Sequence, residues 1–139
     1  ETPPDKLIIA ERSPFSDAAV FAKAFLDEEV EQRAYGVAHD AAMRTIGPLE
    51  CAFLFLEGAS TETLGERICQ RNRNGENSID AGLLAQLETL HTELKQTLKA
   101  SGRTVLGLDC SANTAYVFNR AVAFILFFFV GDFFKSVDK

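Results

Sequence analysis

Five leucines, Leu83, Leu87, Leu90, Leu94 and Leu98, recur at spacings of three and four and draw the clearest amphipathic helix in the chain. Asn77 or Ser78 is its expected cap, and it is expected to end near Ala100, just ahead of Gly102. Upstream, Ser13-Pro14 reads as an N-cap followed by proline at the first helical position. From there Phe21/Phe25 and Leu26/Val30, at spacing four, predict a helix to about Tyr35, with Gly36 as its stop. Asp27, Glu28, Glu31 and Arg33 fall largely off that apolar face. A second helical stretch is expected from His39 to about Glu57 through Met43, Ile46, Leu49 or Glu50, Phe53 and Leu56, kinked or split at Pro48. Thr61 to Cys69 predicts a short third helix, and the polar run from Arg71 to Asn77 an exposed loop. Apolar residues resume at Val105, Leu106 and Leu108. Tyr116 to Phe134 then predicts a helix apolar on nearly every side, the kind that other helices surround. Strand signals are weak throughout. The expected fold is all-α: residues 1–12 as a flexible lead-in, and 13–139 as a single helical bundle around the hydrophobic C-terminal helix.

Composition narrows the picture. The 139 residues suit one domain with one substantial core, and 47% hydrophobic against 24% charged residues is a globular balance. A net charge of −6 disfavours nucleic acid or an anionic membrane as a nonspecific partner. Cys51, Cys69 and Cys110 are odd in number and lack metal-ligand or Cys-x-x-Cys spacing, so free thiols in a reducing compartment are expected. The first residue is Glu1 rather than Met, which leaves a removed leader open. The uncharged run from Ala121 to Gly131 covers about 16 Å at helical rise, short of a bilayer span.

The chain offers little reactive chemistry. Glu88-x-x-His91 could present two metal ligands on one helix face, but a di-metal centre needs a second such step, and His39 has Gly36 three residues before it. His39-Asp40 resembles the start of a phosphoacceptor helix without the residues that should follow. No nucleophile stands with a base, and no glycine-rich phosphate loop occurs. The expectation is therefore no enzyme activity, no cofactor and no metal. The phenylalanine-rich run over 124–134 admits a second reading, a lipid-binding or membrane-perturbing helical bundle.

Two segments resemble one family. Glu93-Leu94-Lys95, five residues, then Ser101-Gly102-Arg103-Thr104-Val105 matches in register the Glu-Leu-Phe…Trp-Gly-Arg-Ile-Val motif of the Bcl-2 apoptosis regulators, with serine in place of tryptophan. Upstream, Met43-Arg44-Thr45-Ile46-Gly47 is similar to that family's death-motif helix, with Pro48 where its aspartate stands. The family's C-terminal tryptophan motif is absent, and the chain has no tryptophan. The chain most resembles the short, virus-encoded pro-survival members. That resemblance implies an apoptosis inhibitor in the host cytosol or at the mitochondrial outer membrane, with pro-apoptotic Bcl-2 proteins as partners. Their amphipathic helix would lie in an apolar groove. Arg103 would pair the incoming aspartate and Gly102 would admit the helix backbone, beside Glu93. Leu90, Leu94, Val105 and Leu106 would line the floor, and Phe53 and Leu54 the opposite wall. An empty groove of that kind is expected to be hidden in a homodimer.

Overall fold

A computed structural model describes residues 8–47, 51–76, 79–111 and 113–137, the side chains of 129–137 excepted. The first helix opens as expected. Ser13 is its N-cap and Pro14 its first residue, and the Ser13 and Ser16 hydroxyls each accept the other's backbone N–H, at 3.2 and 3.0 Å. It comprises α1 (Pro14–Ser16), a π-helical stretch (Asp17–Phe21) and α2 (Ala22–Phe25), which run on without a break.

This helix stops ten residues earlier than the expected Tyr35 because Leu26 turns extended at φ −100° and ψ 105°. A new helix, α3 (Glu29–Ile46), starts after Glu28 with Glu29 and Glu31 in its first turn, where acidic side chains favour the positive end of the helix dipole. It passes straight through Gly36. A side chain there would meet nothing within 4 Å, so that glycine is merely a weak helix former and not a stop. The expected second helix therefore has no existence of its own: 39–46 belongs to α3, and Pro48, Leu49 and Glu50 lie outside the described residues.

The remainder of that stretch is a strand. β1 (Ala52–Glu57) pairs in parallel with β2 (Thr104–Asp109), from Ala52 opposite Thr104 to Glu57 opposite Asp109. This overturns the all-α expectation. β1 is apolar on both faces, so Ala-Phe-Leu-Phe-Leu has no alternation to distinguish it from a helix segment. The parallel pairing requires a crossover, and α4 (Thr61–Arg71) and α5 (Ala81–Ala100) supply it. Ser60 caps α4, its hydroxyl accepting from the Thr63 N–H at 3.2 Å, and left-handed Asn72 ends it. Asp80 caps α5 by accepting from the Leu83 N–H at 2.8 Å; the expected caps Asn77 and Ser78 lie outside the described residues. The last helix, α6 (Thr114–Val137), packs on β2.

Alternation places Phe53, Phe55, Val105 and Gly107 on one face of the sheet and Leu54, Leu56, Leu106 and Leu108 on the other. The first face meets α5 and the 14–25 helix. Val20, Leu94 and Leu98 are buried at its centre, with Phe15, Phe53, Phe55, Leu87, Leu90 and Val105 packed around them. Leu108 is buried on the opposite face. Gly107 leaves a space on the inner face that the Glu57–Lys95 ion pair fills: the Lys95 ammonium donates to both carboxylate oxygens at 2.7 and 2.5 Å, tying the end of β1 to α5. No helix of the described residues is long and apolar enough to cross a membrane.

Candidate active site

The nine residues assigned to a peptide groove have distinct places in this fold. Leu94 is buried, and Leu90, Phe53 and Val105 pack against it, so these four build the sheet-to-helix core. Leu54 and Leu106 pair on the other face. Glu93 is exposed on α5. Gly102 takes φ +77° in the tight turn between α5 and β2, where its N–H bonds to the Lys99 carbonyl at 3.0 Å. Arg103 continues that turn, its N–H bonding to the Leu98 carbonyl at 3.0 Å. Its guanidinium lies 5.5 Å from the centre of the Phe15 ring and 3.9 Å from the Cys51 sulfur. Burial raises the Cys51 thiol pKa, and the Arg103 charge partly opposes that rise. The Bcl-2-like features thus sit on a helix-to-strand turn of an α/β sheet.

Polar groups gather elsewhere. An open cleft of about 480 Å³ lies between the start of the 14–25 helix and α3, lined by Arg12, Ser13, Pro14, Asp17, Tyr35, Ala38, His39, Ala42 and Ile46. The local sequence builds it. Pro14 and the Ser13–Ser16 capping box fix the helix start, and the wider π winding begins at Asp17; such π segments frequently mark functional sites. The break at 26–28 folds α3 back, so that Tyr35 reaches Asp17 and its hydroxyl donates to Oδ2 at 2.7 Å. His39 Nε2 faces the Pro14 carbonyl at 3.1 Å; a carbonyl only accepts, so this nitrogen carries the proton. The Tyr35 and His39 rings stack at 5.9 Å, and a smaller cleft of about 230 Å³ shares both residues.

Arg12 crosses the helix start to lay its guanidinium 4.1 Å from the centre of the Phe21 ring, an arrangement that orients the cation while leaving its N–H edge available. Phe21 in turn meets the His91 ring edge-on at 5.8 Å. His91 lies one turn of α5 beyond Lys95, which itself pairs with the last residue of β1. Through Phe21 and His91 the Arg12 guanidinium is thus linked to α5, while the helix start itself lies by the amino ends of the strands, where Phe15 meets Phe53 edge-on at 5.4 Å. A second group of cations, Arg67, Arg71 and Arg73, ends α4 and begins the loop after it, and Arg71 holds Glu76 through two hydrogen bonds at 3.1 and 2.7 Å. On α5, His91 Nδ1 bonds to the Leu87 carbonyl at 2.7 Å. Among the described residues no three His, Cys, Asp or Glu side chains gather to hold a metal ion.

None of Arg12, Asp17 or Tyr35 stood out in the sequence. Each was an ordinary polar residue near a helix, and no regular periodicity brings positions 12, 17, 35 and 39 to one cleft. Comparison with known proteins supplies what periodicity could not. No curated protein matches the chain, but the family model for deoxynucleoside kinase matches residues 2–125. This overturns the Bcl-2 resemblance, with its apoptosis-inhibiting role and pro-apoptotic partners, and it overturns the separate expectation of no enzyme activity. It leaves the lipid-binding alternative without support as well. Two short motifs had matched a handful of positions, whereas the family model runs through the cleft, both strands and the arginine-bearing loop. The chain belongs to the deoxynucleoside kinase family.

Proposed function

We propose that this protein transfers a phosphoryl group from a nucleoside triphosphate to a sugar hydroxyl of a deoxynucleoside, and that the cleft between the 14–25 helix and α3 receives the nucleoside. The observation carrying this reading is the convergence of Arg12, Asp17 and Tyr35 on one cleft within the span that the kinase family model covers. In the reaction the hydroxyl oxygen bonds to the terminal phosphorus, the bond from that phosphorus to the bridging oxygen breaks to release the nucleoside diphosphate, and the hydroxyl proton passes to solvent. Little covalent work falls to the protein in such a step; positioning and charge compensation dominate. Arg12, oriented by Phe21, supplies a fixed cation beside the cleft. Arg67 and Arg73 offer guanidinium forks suited to phosphate oxygens, with Arg71 between them already held by Glu76. Without such local cations, a protein of net charge −6 would repel a polyphosphate.

Asp17 suits the base. An ionised carboxylate only accepts, so it favours a base edge bearing an amino group, as in cytosine or adenine, over one bearing a carbonyl, as in thymine. The test is transfer of labelled phosphate from ATP to each of the four common deoxynucleosides. Transfer is expected, and Arg12→Ala should lower kcat/KM about a hundredfold, the usual loss on removing one charge-stabilising donor. If the intact protein neither phosphorylates nor binds any of the four, this assignment is wrong.

A further inference from the structure

Asp17 is exposed and sits on a turn of unusual winding, so nothing in its own helix dictates where its two oxygens point. Yet one of them is held. The Tyr35 hydroxyl donates to Oδ2 at 2.7 Å across 18 residues of chain, while Oδ1 takes no hydrogen bond from any described residue. Tyr35 is braced in turn. Its ring stacks on His39, four residues further along α3, and His39 is pinned by its hydrogen bond to the Pro14 carbonyl. The brace therefore begins and ends on the 14–25 helix: Pro14 holds His39, His39 backs Tyr35, and Tyr35 fixes Asp17. We propose that Tyr35 is a positioning residue for nucleoside selection, locking one carboxylate oxygen of Asp17 so that the other faces the cleft as a single, directed acceptor.

This inference rests on the cleft being the nucleoside site. A carboxylate free to rotate can turn away from a carbonyl-bearing base and so loses its power to reject it. One fixed by a phenol must present a lone pair to whatever enters, which welcomes an amino group and repels a carbonyl oxygen. The phenol suits the task because it keeps its donating proton throughout the neutral range, and partial burial, then the Asp17 carboxylate itself, push its pKa further up to about 12.

The experiment is calorimetric titration of the full chain with deoxycytidine and with thymidine, for the wild type, Tyr35→Phe, Asp17→Asn and the double variant, each first checked for a cooperative melt. Tyr35→Phe removes one oxygen and keeps the ring on His39. It should narrow the preference for deoxycytidine over thymidine about three- to tenfold, the worth of one directed hydrogen bond. Added to Asp17→Asn it should change nothing further, because the two residues act as one unit. A purely structural tie between the helices would instead lower the melting temperature and weaken both nucleosides alike, and that result overturns the proposal. If Asp17→Asn shifts the preference while Tyr35→Phe leaves it unchanged, the cleft stands and the role of Tyr35 falls. If Asp17→Asn leaves both affinities unchanged, or neither nucleoside binds the wild type, the cleft assignment itself fails and takes the proposal with it. Should Tyr35→Phe not fold, His39→Ala, which removes the brace but leaves the phenol, is expected to narrow the same ratio, and an unchanged ratio there counts against the proposal.

Discussion

At the scale of single residues, the chemistry lies in side chains whose neighbours come from distant parts of the chain. Tyr35 carries a stability consequence independent of catalysis. Its pKa is raised to about 12 in the folded protein, above the 10.0 of a free tyrosine, so the folded state holds the phenolic proton more tightly than the unfolded one does. The corresponding stability is fully present below pH 10 and is lost as pH rises from 10 toward 12. Urea unfolding between pH 9 and 11.5 should show this decline, and Tyr35→Phe should remove that share of it. Asp109 works in the opposite sense: hydrogen bonds from Ser111 lower its pKa, so its contribution is present at neutral pH and fades on acidification. Asp109 is fully exposed, and its effect belongs to the loop after β2 rather than to the core.

At the scale of elements, glycines report where the backbone is constrained and where it is only unoccupied. Gly102 holds φ +77° with nothing within 4 Å of a would-be side chain. Gly102→Ala should therefore cost about 1 kcal/mol through left-handed strain alone, read as a lower melting temperature. Gly107 differs, since a methyl group there would fall on the mobile ends of Glu57 and Lys95. Those ends can move aside, so Gly107→Ala should cost no more than their ion pair, about 0.2–1 kcal/mol, and nothing in a Glu57→Ala background. A large loss in that background would show that the space is structurally required rather than filled by the pair. The leucine stripe of α5 was legible in the sequence because helical period and burial coincide there, and the capped start at Ser13 and the short helix from Thr61 were legible from neighbours within a few positions. β1 was not. Its apolar run fits a strand and a helix equally well, and only the partner strand, some fifty residues away, decides between them.

At the scale of the whole molecule, one small core joins the sheet, α5 and the 14–25 helix. Leu98, 4% exposed, sits at its centre. Leu98→Ala should cost about 2–5 kcal/mol, a large part of the stability of a domain this size, and denaturant unfolding would register it as a lower midpoint with an unchanged slope. The same core couples structure to site, because Val20 anchors the π-helical stretch that carries Asp17 and Phe21. The sequence by itself determined the helical stripe of α5, the cap and proline that start the first helix, and the acidic, globular balance of the chain. Each of these depends on neighbours within a few positions or on composition alone. Tertiary structure alone decided the parallel pairing of β1 with β2, the return of α3 that brings Tyr35 to Asp17, and the meeting of Arg12 with Phe21 above His91. Those contacts join segments that no local period relates, and the free energy that selects them is gained only when the whole chain packs.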